Sequence, residues 1–158
     1  MAYDIETEVA IAAPPSAVWD VLVDFPSYPE WNPFILKVDG DVRLGAAVRY
    51  RFEFPRGLRI WAVAHVLAFE LGRELLWTAH ALSDAILRGD HYFRIEPARE
   101  GSLFHHGEHF TGALLPLVAP ILKLNGPAIY GSLNSALKQR VEARAARFGS
   151  PQDVRRTP

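Results

Sequence analysis

Between Asp24 and Phe34 the chain places three prolines and four aromatics in eleven residues, Asp-Phe-Pro-Ser-Tyr-Pro-Glu-Trp-Asn-Pro-Phe. Each proline fixes its own φ and pushes the residue before it out of the α region, which excludes a long regular helix. A solvated loop is equally unsuited, because Phe25, Tyr28, Trp31 and Phe34 gain nothing from water. The segment is expected to be a short, stiff, half-buried connector that plugs one end of a sheet. Its role is then structural, and Glu30 within it is expected to be exposed.

The flanking patterns supply the sheet. Ile5, Thr7, Val9 and Ile11 alternate with Glu6, Glu8 and Ala10, the period of a half-buried strand. Pro14 and Pro15 open a helix with Val18, Leu22 and Phe25 on one stripe and Asp20 and Asp24 off it. Ile35 to Val38 is a short strand, and Val48, Tyr50, Phe52 and Phe54 alternate with Arg49, Arg51 and Glu53. Leu58 to Glu70 is apolar on both faces and is expected to be covered on both sides. Leu75 to Ala81 follows, then a hairpin of Gly89 to Glu96 with Leu103 to Thr111. Ala113 to Leu124 reads as a proline-broken turn or two of helix that gates the interior. Asn125-Gly126-Pro127 then restarts a helix running to about Phe148 with Ile129, Leu133, Ala136, Leu137 and Val141 on one face. The predicted fold is α+β: a curved antiparallel sheet of about seven strands wrapped around a long C-terminal helix, with two short helices after the first strand. Residues 1–148 form the domain and 149–158 a disordered tail.

Composition narrows the partners. At 158 residues one domain can bury roughly 70% of the surface its unfolded chain exposes. There is no cysteine, so neither disulfides nor thiolate chemistry is available, which suits a reducing compartment. A formal net charge of −1 argues against nucleic acid as a partner. The late cations Lys138, Arg140, Arg144, Arg147, Arg155 and Arg156 fit a solvated helix face, with an anionic surface as the alternative. The acidic amino terminus is unlike a signal peptide, and the most apolar run, Ala113 to Leu122, is broken by Pro116 and Pro120. A bilayer span needs about 20 apolar residues, so no transmembrane segment is expected and the location expected is cytoplasmic.

Several of these stretches also carry a family likeness. Pro15-Ser16-Ala17-Val18-Trp19, then Asp24-Phe25 and Tyr28-Pro29-Glu30-Trp31-Asn32-Pro33, resembles the START-like superfamily often called SRPBCC. Leu75-Leu76-Trp77, Gly89-Asp90-His91-Tyr92-Phe93, Gly107 to Gly112 and Leu133-Asn134-x-x-Leu137-Lys138 extend the resemblance to about residue 147, toward the bacterial polyketide cyclase/dehydrase branch. The resemblance implies a helix-grip fold with an internal cavity. It does not imply one activity, since carriers, cyclases, co-chaperones and hormone receptors share the scaffold.

The hairpin gives a sharper inference. If its centre lies between Arg99 and Glu100, opposed residue numbers sum to 199, so Ile95 faces Phe104, Phe93 faces His106 and His91 faces Glu108. Ile95, Phe93, Phe104 and Phe110 then share one face with His91, His106 and Glu108, while Arg94, Glu96, His105 and His109 face solvent. A similar count around Asp84 sets Trp77 beside His91. Three readings stay open for this cluster. His91 and Glu108 can merely fasten two strands. They can form the polar end of a ligand site lined by Trp61, Trp77, Phe93, His106 and Phe110. Or His91, His106 and Glu108 can hold a metal, although no paired ligand spacing supports one. His65 and His80 are lone strand histidines without such company.

Other catalytic templates are missing: there is no Gly-x-Ser-x-Gly elbow, no phosphate-cradling loop and no dinucleotide fingerprint. The expectation is a binding protein for a small, mostly apolar, ring-containing molecule, with no cofactor or metal. The alternatives are a polyketide cyclase or aromatase using His91 and Glu108 as candidate catalytic residues, and a protein-interaction module of the co-chaperone kind.

Overall fold

A computed structural model describes residues 2–53 and 57–148. Strand β1 (Ala2–Ile11) leads through Pro14 into helix α1 (Pro15–Leu22), a 3-10 turn over Phe25–Ser27 and the single-turn helix α2 (Tyr28–Trp31). Six further strands follow: β2 (Ile35–Asp39), β3 (Ala47–Glu53), β4 (Arg59–Glu70), β5 (Glu74–Ala81), β6 (Leu87–Ala98) and β7 (Gly101–Thr111). Helix α3 (Leu115–Phe148) closes the described chain. The sheet is a seven-stranded antiparallel array in the order β1-β7-β6-β5-β4-β3-β2. Thus β2 to β7 form a meander, and β1 returns to pair with the last strand. The tail beyond residue 148 lies outside the described residues.

The connector behaves as its composition requires. The Tyr28 hydroxyl donates to the Leu22 carbonyl at 2.6 Å, and the Asn32 side-chain oxygen accepts from the amides of Phe34 and Ile35 at 3.0 and 2.8 Å. Those bonds stand in for the ladder partners that Pro29 and Pro33 cannot supply. Phe25 packs edge-on against Tyr28 and tilted against Trp77, which ties the connector to the sheet interior. Glu30 is exposed but paired with Arg140 of α3 at 2.6 Å.

Two expectations need correction. The segment around Asn125-Gly126-Pro127 does not restart a helix, because α3 runs unbroken through Pro120 and Pro127. The Asn125 side-chain amide donates to the Ile121 carbonyl at 3.0 Å, and buried Gly126 sits where a Cβ would collide with the end of the Ile5 side chain. The Gly is therefore there for close approach of α3 to β1, not to end a helix. Strand β4 is not covered on both sides either. Its outer residues Trp61, Val63 and Leu67 remain 40–52% exposed, since α3 packs on β1 and β7 at the inner face only. Trp61 is shielded instead by the Arg49 and Arg51 guanidinium groups, 4.3 and 5.5 Å from its ring centre.

Inside the curve, Trp77, Phe93, Phe104, Leu75, Ile95, Leu133 and Leu137 are essentially sealed from solvent. Each such side chain contributes roughly 1.5–3 kcal/mol relative to exposure, so this face holds the fold together. Three of the late cations are ion-paired: Lys138 with Glu142, Arg140 with Glu30 and Arg144 with Asp24. Arg155 and Arg156 lie outside the described residues. No helix among the described residues is long and apolar enough to cross a membrane.

Candidate functional site

Sheet register brings the polar residues together. His91 faces Glu108, Phe93 faces His106 and Ile95 faces Phe104 across β6 and β7, while Trp77 faces His91 across β5 and β6. The two-residue turn at Arg99-Glu100 is what sets the first three pairs, since Ala98 opposes Gly101. His91 and His106 are buried, at 4% and 1% exposure. The Glu108 side chain keeps 15% of its surface, enough to be reached from outside.

Hydrogen bonds link the two histidines to α3 and β1. The Nε2 atoms of His91 and His106 approach to 2.6 Å, and His106 Nδ1 lies 2.8 Å from the Asn134 side-chain oxygen on α3. The Asn134 amide donates to the Thr7 hydroxyl at 2.8 Å, and that hydroxyl donates to the His106 carbonyl at 2.7 Å. At the other end His91 Nδ1 is 3.9 Å from Glu108 Oε2, which accepts a short hydrogen bond from the Tyr130 hydroxyl. The His106 ring stacks on Phe93 and Tyr130 at 4.9 and 4.7 Å, and Trp77 meets His91 edge-on at 5.6 Å.

The electrostatics follow from burial. Desolvation holds His91 well below the ordinary imidazole range, with the facing His106 adding to the effect. His106 is lowered to about 4 by desolvation, against the opposing pull of its bond to Asn134. Glu108 is pushed up to about 7 by desolvation, although the Tyr130 bond works the other way. Tyr130 itself is raised and stays a phenol. Near neutral pH the group therefore consists of uncharged imidazoles beside a carboxyl that readily gains or loses one proton.

Small residues line the inner face of the sheet near Glu108. Ala62, Ala79 and Gly89 lie on the inner face of β4, β5 and β6, and Tyr50, Phe52, Glu108 and Phe110 around them are only partly buried. A Cβ on Gly89 would overlap the Glu108 carboxylate and crowd Phe110, so the glycine is what lets Glu108 lie across the strand. Trp77 is 1% exposed, and its indole N–H has no hydrogen-bond partner among the described residues. Such an unpaired buried donor is uncommon in a packed core.

Of the residues singled out in the sequence, Trp77, His91, Phe93, His106, Glu108 and Phe110 share this face. Trp61 does not: it lies on the outer face, because β4 presents Ala62 and Ala64 inward. Three contributors escaped the sequence reading. Tyr130 and Asn134 are one helical turn apart on the buried stripe of α3, and two polar-tipped residues on such a stripe were the available signal. Gly89 gave no signal short of its close contact. The described residues contain no group of three or more His, Cys, Asp or Glu set to hold a metal. Both ring nitrogens of His106 are already engaged, one by His91 and one by Asn134. Three outward histidines lie beside carboxylates: His80 by Asp84, His105 between Glu8 and Glu96, and His109 by Asp4. A solvent-open depression of about 430 Å³ on that outer side is lined by Tyr92, Arg94, His105 and three glutamates.

A curved antiparallel sheet closed by one long C-terminal helix, with short helices after the first strand, defines the helix-grip class. The chain belongs to the family described as polyketide cyclase / dehydrase and lipid transport, whose model matches residues 2–148. Among solved structures it is similar to the Zhui aromatase/cyclase of Streptomyces sp. R1128, with 15% identity and a TM-score of 0.75 over 95% of this chain and 99% of that one. It is also similar to the di-domain aromatase/cyclase StfQ of the steffimycin biosynthetic pathway, with 16% identity and a TM-score of 0.75. That match covers 92% of this chain and 52% of StfQ. Protein NE0264 of Nitrosomonas europaea matches with 15% identity and a TM-score of 0.71, over 90% of this chain and 96% of that one. At these identities the structures share the fold. No curated protein sequence matches the chain.

Proposed function

We propose that this protein binds a small, mostly apolar, ring-containing molecule between the inner face of the sheet and α3, within the cytoplasm. His91, Glu108 and Tyr130 form the polar end of the site, and Trp77, Phe93 and Phe110 its aromatic wall. The observation that carries this reading is the placement of Glu108: a carboxyl raised to about 7 and linked to Tyr130, over a floor of Ala62, Ala79 and Gly89. A core built for stability alone gains little from a carboxyl there, since its burial works against folding unless something repays it. Apolar surroundings with a few placed polar groups suit small-molecule recognition. Native mass spectrometry of the protein purified from its own host tests this. An apolar adduct is expected, and it should be depleted in Glu108→Gln. Adduct-free protein that also fails to bind aromatic probes would remove the reading.

One observation favours an enzymatic second reading. A carboxyl titrating near pH 7 beside the His91 Nδ1 is suited to moving a proton in a cyclisation or dehydration. Two of the similar structures are those of aromatase/cyclases. If the protein is such an enzyme, Glu108→Gln should abolish turnover of a polyketide analogue while leaving its binding within a fewfold. Equal turnover by this variant would exclude Glu108 as the proton carrier.

A further inference from the structure

We propose that Asn134 is a positioning residue that fixes, through His106, which nitrogen of His91 is bare, so that the site selects ligands offering a hydroxyl hydrogen and rejects carboxylates. The inference rests on the binding reading above and names the ligand chemistry it requires.

The assignment follows from donors and acceptors. The Thr7 hydroxyl spends its one hydrogen on the His106 carbonyl, so toward Asn134 it can only accept. The amide nitrogen of Asn134 must therefore face Thr7, and its oxygen must face His106 Nδ1. An amide oxygen accepts only, so His106 carries its hydrogen on Nδ1 and has a bare Nε2. At 2.6 Å from that bare nitrogen, His91 Nε2 must donate. A neutral His91 then has its lone pair on Nδ1, the nitrogen 3.9 Å from Glu108 Oε2.

That separation is too long for a direct hydrogen bond but suits a bridging atom in contact with both groups. A phenolic or enolic hydroxyl fits. Its hydrogen goes to His91 Nδ1, and its oxygen accepts from Glu108 when that carboxyl is protonated. A ligand carboxylate has no hydrogen to give, and its charge would face both a lone pair and Glu108 in a buried setting. Asn134 touches no ligand in this scheme; it acts by holding the tautomer two residues away.

The imidazole nitrogens can be observed directly by long-range proton–nitrogen NMR of the ¹⁵N-labelled full chain near pH 8. The expected pattern is a protonated Nδ1 on His106 and a protonated Nε2 on His91, each with its other nitrogen bare. The reverse pattern in either ring overturns the inference without touching the binding reading. Affinities for 2-naphthol, 2-naphthoate and naphthalene, followed by Trp fluorescence, form the second arm. Naphthol should bind at least tenfold tighter than the other two. Naphthoate binding as well as naphthol overturns the selectivity but leaves a binding protein, whereas binding of none of the three overturns both. Asn134→Leu should shrink the naphthol preference to a fewfold. Asn134→Asp, which still accepts from His106 Nδ1, should keep the NMR pattern. If Asn134→Leu fails to fold, the wild-type spectrum and probe series still decide the matter.

Discussion

The Glu108 carboxylate occupies the space in which a side chain at Gly89, diagonal to it across the hairpin, would have to stand. The position of the carboxylate is thus set by a missing methyl group. The backbone at Gly89 does not need positive φ, so alanine is sterically allowed there apart from that contact.

Gly89→Ala should therefore fold with a stability within about 1 kcal/mol of the parent, because the displaced atoms belong to the free end of Glu108. The carboxylate must swing toward solvent, away from Tyr130. The apparent pKa of Glu108, followed by carbon NMR, should fall toward the ordinary carboxylate range, and probe affinity should drop about tenfold. Unchanged affinity would detach Glu108 from the site.

A second close approach tests the packing of α3. Alanine at 126 should gain about 1 kcal/mol of helix propensity, but its methyl would press on the buried Ile5, and overpacking typically costs 1–3 kcal/mol. Net destabilisation of about 1 kcal/mol is expected for Gly126→Ala. Adding Ile5→Val removes the colliding atom and should recover most of the loss in urea unfolding. A single variant more stable than the parent would show that α3 can move off β1 at no cost.

The hairpin register was legible because a one-residue slip would have exposed Phe104 and Phe110, a large hydrophobic cost. His91, His106 and Glu108 came with it. Trp61 was misplaced because β4 is apolar on both faces, so alternation carried no information about which face turns inward. Its neighbours Arg49 and Arg51 were the missed clue, since outward arginines one strand away can shelter an indole. Continuity of α3 through two prolines was hidden for another reason. Local rules end a helix at Asn-Gly-Pro, but contact with Ile5 and packing along β1 outweigh the lost backbone bonds.

Those lost bonds have a dynamic consequence. Pro120 and Pro127 each remove one amide donor from the first half of α3, where Leu117, Ile121 and Leu124 are 61–81% exposed. Further on, Leu133, Leu137 and Val141 are buried against the core. Local opening should therefore favour the first half, which would gate access to Glu108. Hydrogen exchange in residues 117–125 should be at least tenfold faster than in 133–141, and should slow when an aromatic probe binds. Equal protection in the two halves would exclude a gate here.

The buried titrating groups predict a distinctive pH dependence. Glu108 is raised in the folded state to about 7, so its contribution is fully present below about 4.5 and is lost as pH rises through 7. His91 and His106 are lowered, so theirs are present above about 6.5 and are lost as pH falls. Between pH 5 and 6 the unfolded chain carries protons on both imidazoles and none on Glu108, whereas the folded chain carries one on Glu108 alone. These three groups together then release stability at about 1.4 kcal/mol per unit as pH falls, the value for a net uptake of one proton on unfolding. Glu108→Gln removes the opposing term, so the slope in that window should be steeper by about 1.4 kcal/mol per unit; between pH 6.5 and 7.5, where the imidazole and carboxyl contributions nearly cancel in the parent, the variant should still gain stability as pH rises. Urea midpoints of the two proteins across this range measure the difference directly, with the surface histidines common to both. Parallel curves would mean that Glu108 titrates in the folded protein as it does in the unfolded chain, and the neutral carboxyl on which the site depends would be lost.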